Sequence, residues 1–332
     1  MIGLASRAVI IRDQADHGDH ARSRRFRRSF GYTIAAMGRP FYTWRLRTRE
    51  LELGPRTLVM GILNVTPDSF SDGGKFLVRD HAVAHALKML DDGADLLDIG
   101  GESTRPGVPV AESGIPAAEE LRRIMPVIED VLRERPGAVL SVDTYKAEVT
   151  RAAVGAGCEI ANDVSALRWD EQMASTVAAL GCGVILMHTR GRPQEWRDLP
   201  PSADILAEVK KDLRDYAQAA LEKNISRERI MLDVGIGFGK KFEQNYPLLA
   251  GLDQLQELGF PLLVGTSRKS FIGRTLARDG QDAAPGERLH GSIAAMTASI
   301  LKGAHMVRVH DVKAAVEAAK IADELLRATS KG

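Results

Sequence analysis

Residues 58–64 read Leu-Val-Met-Gly-Ile-Leu-Asn, a short apolar run that ends in a polar side chain. Further runs of this kind follow along the chain, each nearly continuous in apolar residues. Runs of this length without polar alternation are typical of strands that are covered on both faces. The eight runs are residues 58–63, 96–99, 138–142, 158–161, 184–187, 230–232, 262–264 and 306–309. The sequence therefore predicts eight buried strands.

Helical patterns separate the predicted strands. Apolar residues recur at helical spacing within residues 83–90, with Gly93 as a stop signal, and a longer apolar stripe runs through residues 312–326. Alternation of strands with helices requires parallel strands joined by right-handed crossovers. Eight repeats in about 275 residues predict an α/β fold, a closed (β/α)8 TIM barrel. A doubly wound open sheet is the alternative.

The composition is that of an ordinary globular protein. Of 332 residues, 44% are apolar and 27% are charged, which excludes a disordered, collagen-like or disulfide-stapled chain. Cys158 and Cys182 have no CxxC spacing and are expected to be reduced, buried thiols. No apolar run reaches the roughly 18 residues that span a bilayer. We therefore expect a soluble, cytoplasmic protein without a membrane partner.

Basic residues are concentrated at the amino terminus. The net charge is +1, but residues 1–49 hold 11 Arg, no Lys and 3 Asp. The stretch of residues 22–28, Arg-Ser-Arg-Arg-Phe-Arg-Arg, suits a nucleic-acid arm, an organelle transit peptide or a solvated extension, and Met37 is a possible alternative start. We expect residues 1–49 to form a poorly ordered basic extension with no nucleic-acid partner. Residues 50–332 are then one barrel domain.

Polar side chains follow every predicted strand. They are Asn64, Asp98, Asp143, Asn162 with Asp163, His188, Asp233, Ser267 to Lys269, and Arg308 with His310. In a parallel barrel the carboxyl ends of all strands meet at one mouth, where active sites of this fold lie. Any single one, Asp98 or Asp163 in particular, has an ordinary explanation as a helix cap or a loop brace. Their repetition after every strand indicates one shared site.

The chemistry of these residues indicates the kind of ligand. Carboxylates such as Asp143 and Asp233 suit a planar heterocycle with several N–H donors, because a carboxylate accepts paired hydrogen bonds. Arg308 and His310, on the last strand, suit a phosphate-type anion at a position where these barrels often bind one. The rim therefore predicts a donor-rich heterocycle that carries a phosphate group.

A divalent metal ion fits the same rim. Asn64, beside Asp98 or Asp72, offers oxygen ligands for an Mg²⁺ ion that bridges phosphate groups. The sequence has no cluster of His and Cys residues that would indicate zinc. We therefore expect Mg²⁺ as the cofactor.

Two Gly- and Pro-rich loops follow strand ends. Residues 66–75 contain one aromatic residue, and residues 100–107 contain one arginine between glycines. Both are placed to fold over the site as lids, and both are equally consistent with ordinary surface turns.

Two contiguous motifs in these loops resemble the signatures of the dihydropteroate synthase family. The first is Met-Gly-Ile-Leu-Asn-Val-Thr-Pro-Asp-Ser-Phe-Ser-Asp-Gly-Gly at residues 60–74, and the second is Asp-Ile-Gly-Gly-Glu-Ser-Thr-Arg-Pro-Gly at residues 98–107. Shorter matching motifs occur, in the same order as in the family, at residues 141–144, 162–163, 265–270 and 308–312. The resemblance covers roughly residues 55–327. It implies a transferase of folate biosynthesis that uses Mg²⁺ and forms a homodimer.

The implied reaction joins 6-hydroxymethyl-7,8-dihydropterin diphosphate to p-aminobenzoate and releases pyrophosphate. The resemblance implies pterin binding by Asp143, Asn162, Met187, Asp233, Lys269 and Arg308. It implies pyrophosphate binding by Asn64, Arg308 and His310, with Asn64 also as the metal ligand. It places Phe70, Asp72, Thr104, Arg105, Pro106, Phe238 and Ser270 around p-aminobenzoate or in the lid loops. Lys269, Arg308 and Asp143 are the expected catalytic residues. Met187 is nearly as well explained as a core methionine.

The chain departs from the family pattern at two positions. Val234 stands where the family usually has proline, which is expected to loosen the loop slightly, and Thr189 stands where methionine is common. Neither change alters the expected reaction. Two other functions share part of this pattern: a methyltetrahydrofolate–corrinoid methyltransferase and a non-catalytic pterin-binding homologue. Lys269, Arg308, His310 and the two loops favour the synthase.

Overall fold

Each of the eight apolar runs forms a strand in the computed structural model, which describes residues 39–66, 75–102 and 114–329. The strands are β3 (Leu58–Asn64), β4 (Leu96–Gly100), β5 (Leu140–Asp143), β6 (Ile160–Asp163), β7 (Gly183–Met187), β8 (Ile230–Asp233), β9 (Leu262–Val264) and β10 (Met306–Val309). Neighbouring strands pair in parallel, and β10 closes the sheet by pairing Met306 with Leu58 of β3. The prediction of a (β/α)8 TIM barrel is confirmed, and the alternative of an open sheet is wrong.

Helices cover the outside of the barrel. They are α1 (Lys75–Asp91), α2 (Ala117–Glu134), α3 (Ala147–Ala156), α4 (Met173–Leu180), α5 (Ile205–Glu222), α6 (Asn245–Ala250), α7 (Ser270–Thr275), α8 (Leu289–Leu301) and α9 (Val312–Thr329). Gly93, with φ of +101°, follows the end of α1 as the sequence predicts. On α9 the buried stripe includes Ala315 and Ala319, whereas Leu325 is exposed. No helix within the described ranges is long and apolar enough to cross a bilayer.

Alternate residues of each strand point into the barrel, and their chemistry changes along the strand. In β3, Leu58 and Met60 belong to the apolar cluster inside the barrel, whereas Val59 and Leu63 pack outside it under the helices. The last inward position, Asn64, lines a cavity at the mouth. Both faces of a strand are therefore buried, which explains the nearly continuous apolar runs. Near the carboxyl ends of the strands, polar side chains such as Asn64 occupy inward positions.

A β-hairpin that the sequence analysis missed packs against the amino-terminal floor of the barrel. It consists of β1 (Tyr42–Arg45) and β2 (Glu50–Leu53), paired antiparallel. Trp44, 1% exposed, packs in the interior cluster with Leu46, and its indole N–H donates to the carbonyl of Arg229 at 2.9 Å. The hairpin thus covers apolar side chains that the open lower end would leave exposed to water.

Because of the hairpin, the folded region begins before residue 50, where the sequence analysis places its start. The buried guanidinium of Arg39 donates to Asp323 on α9 at 2.7 Å and to Thr57 at 2.6 Å. The prediction that residues 1–49 form a poorly ordered extension is therefore wrong for residues 39–49. Residues 1–38 lie outside the described residues. Apolar and polar residues alternate in both hairpin strands, but these strands lack the continuous apolar runs from which the barrel strands are predicted.

Candidate active site

A cavity of about 440 Å³ opens at the carboxyl ends of the barrel strands. Every predicted site residue that the structure describes lines it. These are Asn64, Asp143, Asn162, Met187, Asp233, Phe238, Lys269, Ser270, Arg308 and His310. The other predicted residues, Phe70, Asp72, Thr104, Arg105 and Pro106, lie outside the described residues. Residues that are separated by up to 246 positions (Asn64 to His310) thus share one wall, because the parallel strands bring their carboxyl ends together.

Arg308 points inward from β10 and joins two carboxylates. Its Nε donates to Oδ2 of Asp98 at 2.6 Å, and its Nη2 donates to Oδ2 of Asp143 at 2.7 Å. The side-chain amide of Asn162 donates to the same oxygen of Asp98 at 2.8 Å. Charge-assisted bonds from two directions fix the plane of a guanidinium. Arg308 therefore stands in a defined orientation in the cavity wall.

Asp98, which the sequence offers as a metal ligand beside Asn64 or as an ordinary cap or brace, accepts hydrogen bonds from Arg308 and Asn162. The ordinary explanation as a loop brace is right for Asp163. Asp163 accepts hydrogen bonds from the backbone N–H and the hydroxyl of Ser165, both at 2.7 Å. The phase of each strand distinguishes the two carboxylates. Asp98 alternates with the inward Leu96 of β4, whereas Asp163 follows the inward Asn162 and so points outward.

The acidic residues of the cavity lie in a strongly perturbed environment. Burial raises the pKa of Asp143 to about 7, although the neighbouring Arg308 acts in the opposite direction. Burial also raises the pKa of Asp233, opposed by the hydrogen bond that Oδ1 of Asp233 accepts from the Gly235 N–H at 2.8 Å. Both carboxylates are therefore more stable as anions when a donor or a cation faces them.

Lys269 provides a second cation at the start of α7. Its Nζ lies 4.0 Å from the centre of the Phe238 ring, in cation–π geometry. Burial lowers the pKa of Lys269 to about 8, against the raising effect of Asp233. The preceding residue, Arg268, has φ of +57° and forms an ion pair with Asp311 at 2.6 Å. This ion pair connects the loops after β9 and β10.

Polar groups at the junction of β3 and β10 form the part of the cavity that suits an anion. Arg308 pairs with Met60 in the sheet register, so Asn64 and His310 extend from adjacent strands. The ring Nδ1 of His310 lies 3.0 Å from the hydroxyl of Ser267, which orients the imidazole. The acceptors for a heterocycle come instead from β5, β6 and β8. The part of the cavity that suits an anion and the part that suits a heterocycle are thus adjacent at the mouth of the barrel.

The residues present fit an Mg²⁺ ion at Asn64. Its amide oxygen is a hard ligand on the wall of the cavity, and Mg²⁺ commonly takes few protein ligands, with phosphate oxygens and water in the other positions. In the described part of the chain, the grouped side chains with metal-ligand spacing are His188, Glu208 and Asp212. All three groups already have partners: Asp212 lies 3.3 Å from His188, and Glu208 pairs with Arg190 at 2.6 Å.

The two departures from the family pattern lie behind the cavity wall. Val234 is buried in the core outside the barrel, and the neighbouring Asp233 still lines the cavity. Thr189 is buried, and its hydroxyl donates to the carbonyl of Gly191 at 3.1 Å. Neither Val234 nor Thr189 lines the cavity itself. The looser loop expected from Val234 stays a prediction.

Comparisons with known proteins agree with this arrangement. A family model described as pterin binding enzyme matches residues 60–310. A dihydropteroate synthase of Bacillus subtilis is 45% identical over 271 residues, which cover 82% of this chain and 89% of that protein. A dihydropteroate synthase of Xanthomonas albilineans, solved with 4-aminobenzoic acid, is 46% identical with a TM-score of 0.77, over 85% of this chain and 98% of that chain.

A second structure of the Xanthomonas albilineans enzyme, in complex with 7,8-dihydropteroate, is 43% identical with a TM-score of 0.72. It covers 82% of this chain and 95% of that chain. These relatives match nearly over their full length, and the matched region contains every residue of the cavity. With the closed barrel and the residues at its mouth, this similarity shows that the chain belongs to the dihydropteroate synthase family of pterin-binding enzymes.

Proposed function

We propose that the cavity joins 6-hydroxymethyl-7,8-dihydropterin diphosphate to p-aminobenzoate, releasing pyrophosphate and 7,8-dihydropteroate. The chain is a transferase of folate biosynthesis. One observation carries the proposal: a single cavity holds acceptors for an N–H-rich ring beside cations for its diphosphate. The relatives solved with 4-aminobenzoic acid and with 7,8-dihydropteroate support it, since these molecules are a substrate and the product of the reaction. A corrinoid methyltransferase has no use for such cations, and the relatives above are synthases.

The pterin binds against the ends of β5, β6 and β8. Asp143 and Asp233 accept hydrogen bonds from the ring and its amino group, and the Asn162 amide both donates and accepts. The planar guanidinium of Arg308 stacks across the ring, which its bonds to Asp98 and Asp143 prepare. Met187 supplies an apolar wall. Each of these groups is fixed by a strand, so the ring is held with little freedom.

Catalysis consists mainly in removing the leaving group. The bond between the pterin CH₂ and the diphosphate oxygen breaks, and the electron pair leaves with pyrophosphate. Arg308 and His310 neutralise the charge that accumulates on that group. A bound Mg²⁺ ion, held by Asn64, supplies further positive charge to the phosphate oxygens. Asp143 and Asp233 favour the positive charge that spreads into the electron-rich pterin.

The amine nitrogen of p-aminobenzoate then bonds to the CH₂ and releases a proton to water. This nitrogen is already a nucleophile, so the reaction requires neither an activated serine or cysteine nor a strong base. Phe238 and Ser270 line the cavity and are the groups that contact the aminobenzoate. Because the carboxylates stabilise a pterin cation, the substitution is dissociative. A large secondary isotope effect at the CH₂ is expected, and its absence would indicate direct displacement.

Pyrophosphate release from purified protein with both substrates and Mg²⁺ tests the proposal. Lys269→Ala and Arg308→Ala should each reduce turnover by about 100-fold or more, the scale of a lost charge-stabilising contact. Lys302→Ala is the matched control, because Lys302 is an exposed lysine that pairs with Asp253 at 3.4 Å outside the cavity. Unchanged rates in the two site variants would contradict the residue assignment.

The metal assignment has its own test. Turnover should fall when a chelator removes Mg²⁺ and return when the ion is restored. Asn64→Ala should raise the Mg²⁺ concentration required for half-maximal turnover, because it removes the proposed oxygen ligand. An unchanged Mg²⁺ requirement in this variant would place the ion elsewhere.

We propose a cytoplasmic homodimer that pairs through α8 and α9. These helices pack against each other, and they expose Leu301, Ile321 (65% exposed) and Leu325. Apolar side chains exposed together favour a protein contact. The free, buried thiols Cys158 and Cys182 suit a reducing compartment. Light scattering after gel filtration tests the dimer: Ile321→Asp should yield monomer, whereas a dimer that survives it would exclude this surface.

A further inference from the structure

A buried lysine behind the cavity wall has no part in the mechanism above. Lys240 ends the stretch Asp-Val-Gly-Ile-Gly-Phe-Gly-Lys at residues 233–240, which joins β8 to the next helical turn. Residues 235–238 of this loop line the cavity, whereas the Lys240 side chain lies beneath them and is buried. A buried ammonium group is costly unless acceptors surround it.

The amino group of Lys240 is enclosed by acceptors from two loops. Nζ donates to the carbonyl of Gly235 at 2.7 Å and lies 2.9 Å from Nδ1 of His188. The carbonyls of Phe238 and His188 lie at 3.3 and 3.4 Å. One side chain thus connects the loop after β7 with the loop after β8. Within its own loop it connects Gly235 with Phe238.

The hydrogen-bond chain continues through His188 to α5. Nε2 of His188 lies 3.3 Å from Oδ2 of Asp212. Burial and the neighbouring Lys240 lower the pKa of His188 to about 4, so the imidazole is neutral at pH 7. It then donates from Nε2 to Asp212 and accepts at Nδ1 from Lys240. Donor and acceptor are thus assigned in each hydrogen bond from Lys240 through His188 to Asp212.

The loop has backbone hydrogen bonds of its own, from Gly237 N–H to Asn245 at 2.8 Å and from Phe238 N–H to the Gly235 carbonyl at 3.1 Å, but its glycines add no side-chain packing. Gly235, Gly237 and Gly239 all have positive φ, at +61°, +82° and +67°. Glycine in this region is the most flexible residue and contributes no side-chain packing. Gly235 also approaches the loop after β7 so closely that an added Cβ would overlap the His188 carbonyl. Burial lowers the pKa of Lys240 to about 7, and in either charge state its amino group donates to the Gly235 carbonyl, which adds a contact that holds the loop in one shape.

We propose that Lys240 is a positioning residue that sets the place of Phe238 at the aminobenzoate side of the cavity. The Phe238 ring faces Nζ of Lys269 at 4.0 Å and packs edge-on against Trp196 at 5.3 Å. Without Lys240, the loop relaxes and these ring contacts loosen. The pterin side is affected less, because Asp233 belongs to β8 and keeps its place there even where the hydrogen bond from Gly235 weakens. The inference rests on the proposed function in its assignment of Phe238 to the aminobenzoate.

Steady-state kinetics of Lys240→Met test this role, since methionine keeps the length and removes the donors. The KM for p-aminobenzoate should rise about tenfold or more, and the KM for the pterin diphosphate should stay within about threefold. Lys241→Met is the matched control, because the neighbouring Lys241 donates to the carbonyl of Arg197 at 2.9 Å instead. Equal rises in both KM values, or no rise in either, would overturn the proposal.

Hydrogen exchange separates this inference from the proposed function. In Lys240→Met, amides of residues 235–239 should exchange faster than in the parent chain, with unchanged exchange in β9 and in Lys241→Met. If Lys240→Met does not fold, Asp212→Asn weakens the same chain from its outer end and should give the same pattern at smaller size. Unchanged exchange in the loop would overturn the brace. A parent chain that releases no pyrophosphate would overturn the proposed function alone.

Discussion

Asparagine in place of Asp98 tests whether the barrel interior holds Arg308 in its working orientation. Asp98 is fully buried, and its Oδ2 accepts from Arg308 at 2.6 Å and from Asn162 at 2.8 Å. Asparagine has nearly the same shape, but it lacks the charge and presents an amide N–H₂ in place of one oxygen. Arg308 retains Asp143 at 2.7 Å and is expected to turn toward it.

The expected size of the effect follows from the contacts that are lost. Removing one partner of a buried ion pair costs about 3–5 kcal/mol of unfolding free energy. The lower end, about 3 kcal/mol, applies because Arg308 keeps a second carboxylate. If the turned guanidinium no longer reaches the leaving group, the activation free energy rises by about 3 kcal/mol. That corresponds to a fall on the order of 100-fold in kcat/KM for the pterin diphosphate.

Asp163→Asn is the matched control, because Asp163 is an equally buried carboxylate at a strand end that bonds only outward. It accepts from the backbone N–H groups of Ser165 at 2.7 Å and Leu167 at 2.9 Å. Both variants should lose stability in urea unfolding, and only Asp98→Asn should lose kcat/KM in the pyrophosphate assay. If Asp98→Asn loses stability but keeps kcat/KM within about threefold, the view that it positions Arg308 is refuted.

Other predictions concern Lys269, the glycine-rich loop after β8 and the hairpin on the barrel floor. Since burial lowers the pKa of Lys269 to about 8, kcat/KM should fall above that pH as the ammonium loses its proton, and this decline should be absent from the residual activity of Lys269→Arg. Gly235→Ala should lower the free energy of unfolding in urea by at least about 3 kcal/mol, because its Cβ overlaps the His188 carbonyl. Gly237→Ala, whose Cβ would lie 3.5 Å from its nearest neighbour, should lower it by about 1–2 kcal/mol. Equal losses in the two variants would contradict the role of the close approach. Trp44→Ala should cost about 3–5 kcal/mol and leave both KM values unchanged; a rise in either KM would show that the floor is coupled to the site.

The strands and the residues that they carry were predictable because both depend on local sequence. An apolar run between polar residues specifies a buried strand, and the direction of parallel strands specifies where its last side chain lies. The ends of the strands were less predictable: the fourth barrel strand, β6, spans Ile160–Asp163, whereas the apolar run suggested residues 158–161. The alternation of inward and outward positions would have corrected this, because it places Asn162 inside the barrel.

Features that depend on distant contacts were not predictable from the sequence. The hairpin is stable because Trp44 packs against the barrel floor, which is formed by residues far along the chain. Lys240 looks like a solvated lysine in a glycine-rich loop, and only the fold shows that His188, 52 positions earlier, shares its hydrogen bond. Asp98 required the strand phase as well as its place in the motif. In each case the missing information was which other segment lies opposite.

The change from apolar to polar inward residues along each barrel strand separates two engineering problems. Substitutions at the hairpin end act on heat tolerance, and those at the opposite end act on turnover and ligand choice. A directed-evolution library restricted to Trp44, Leu46 and the first inward residues of the strands can therefore be screened for survival at high temperature alone. Gains found there should combine additively with redesigned specificity at the other end, because the two sets of side chains do not touch the same ligands.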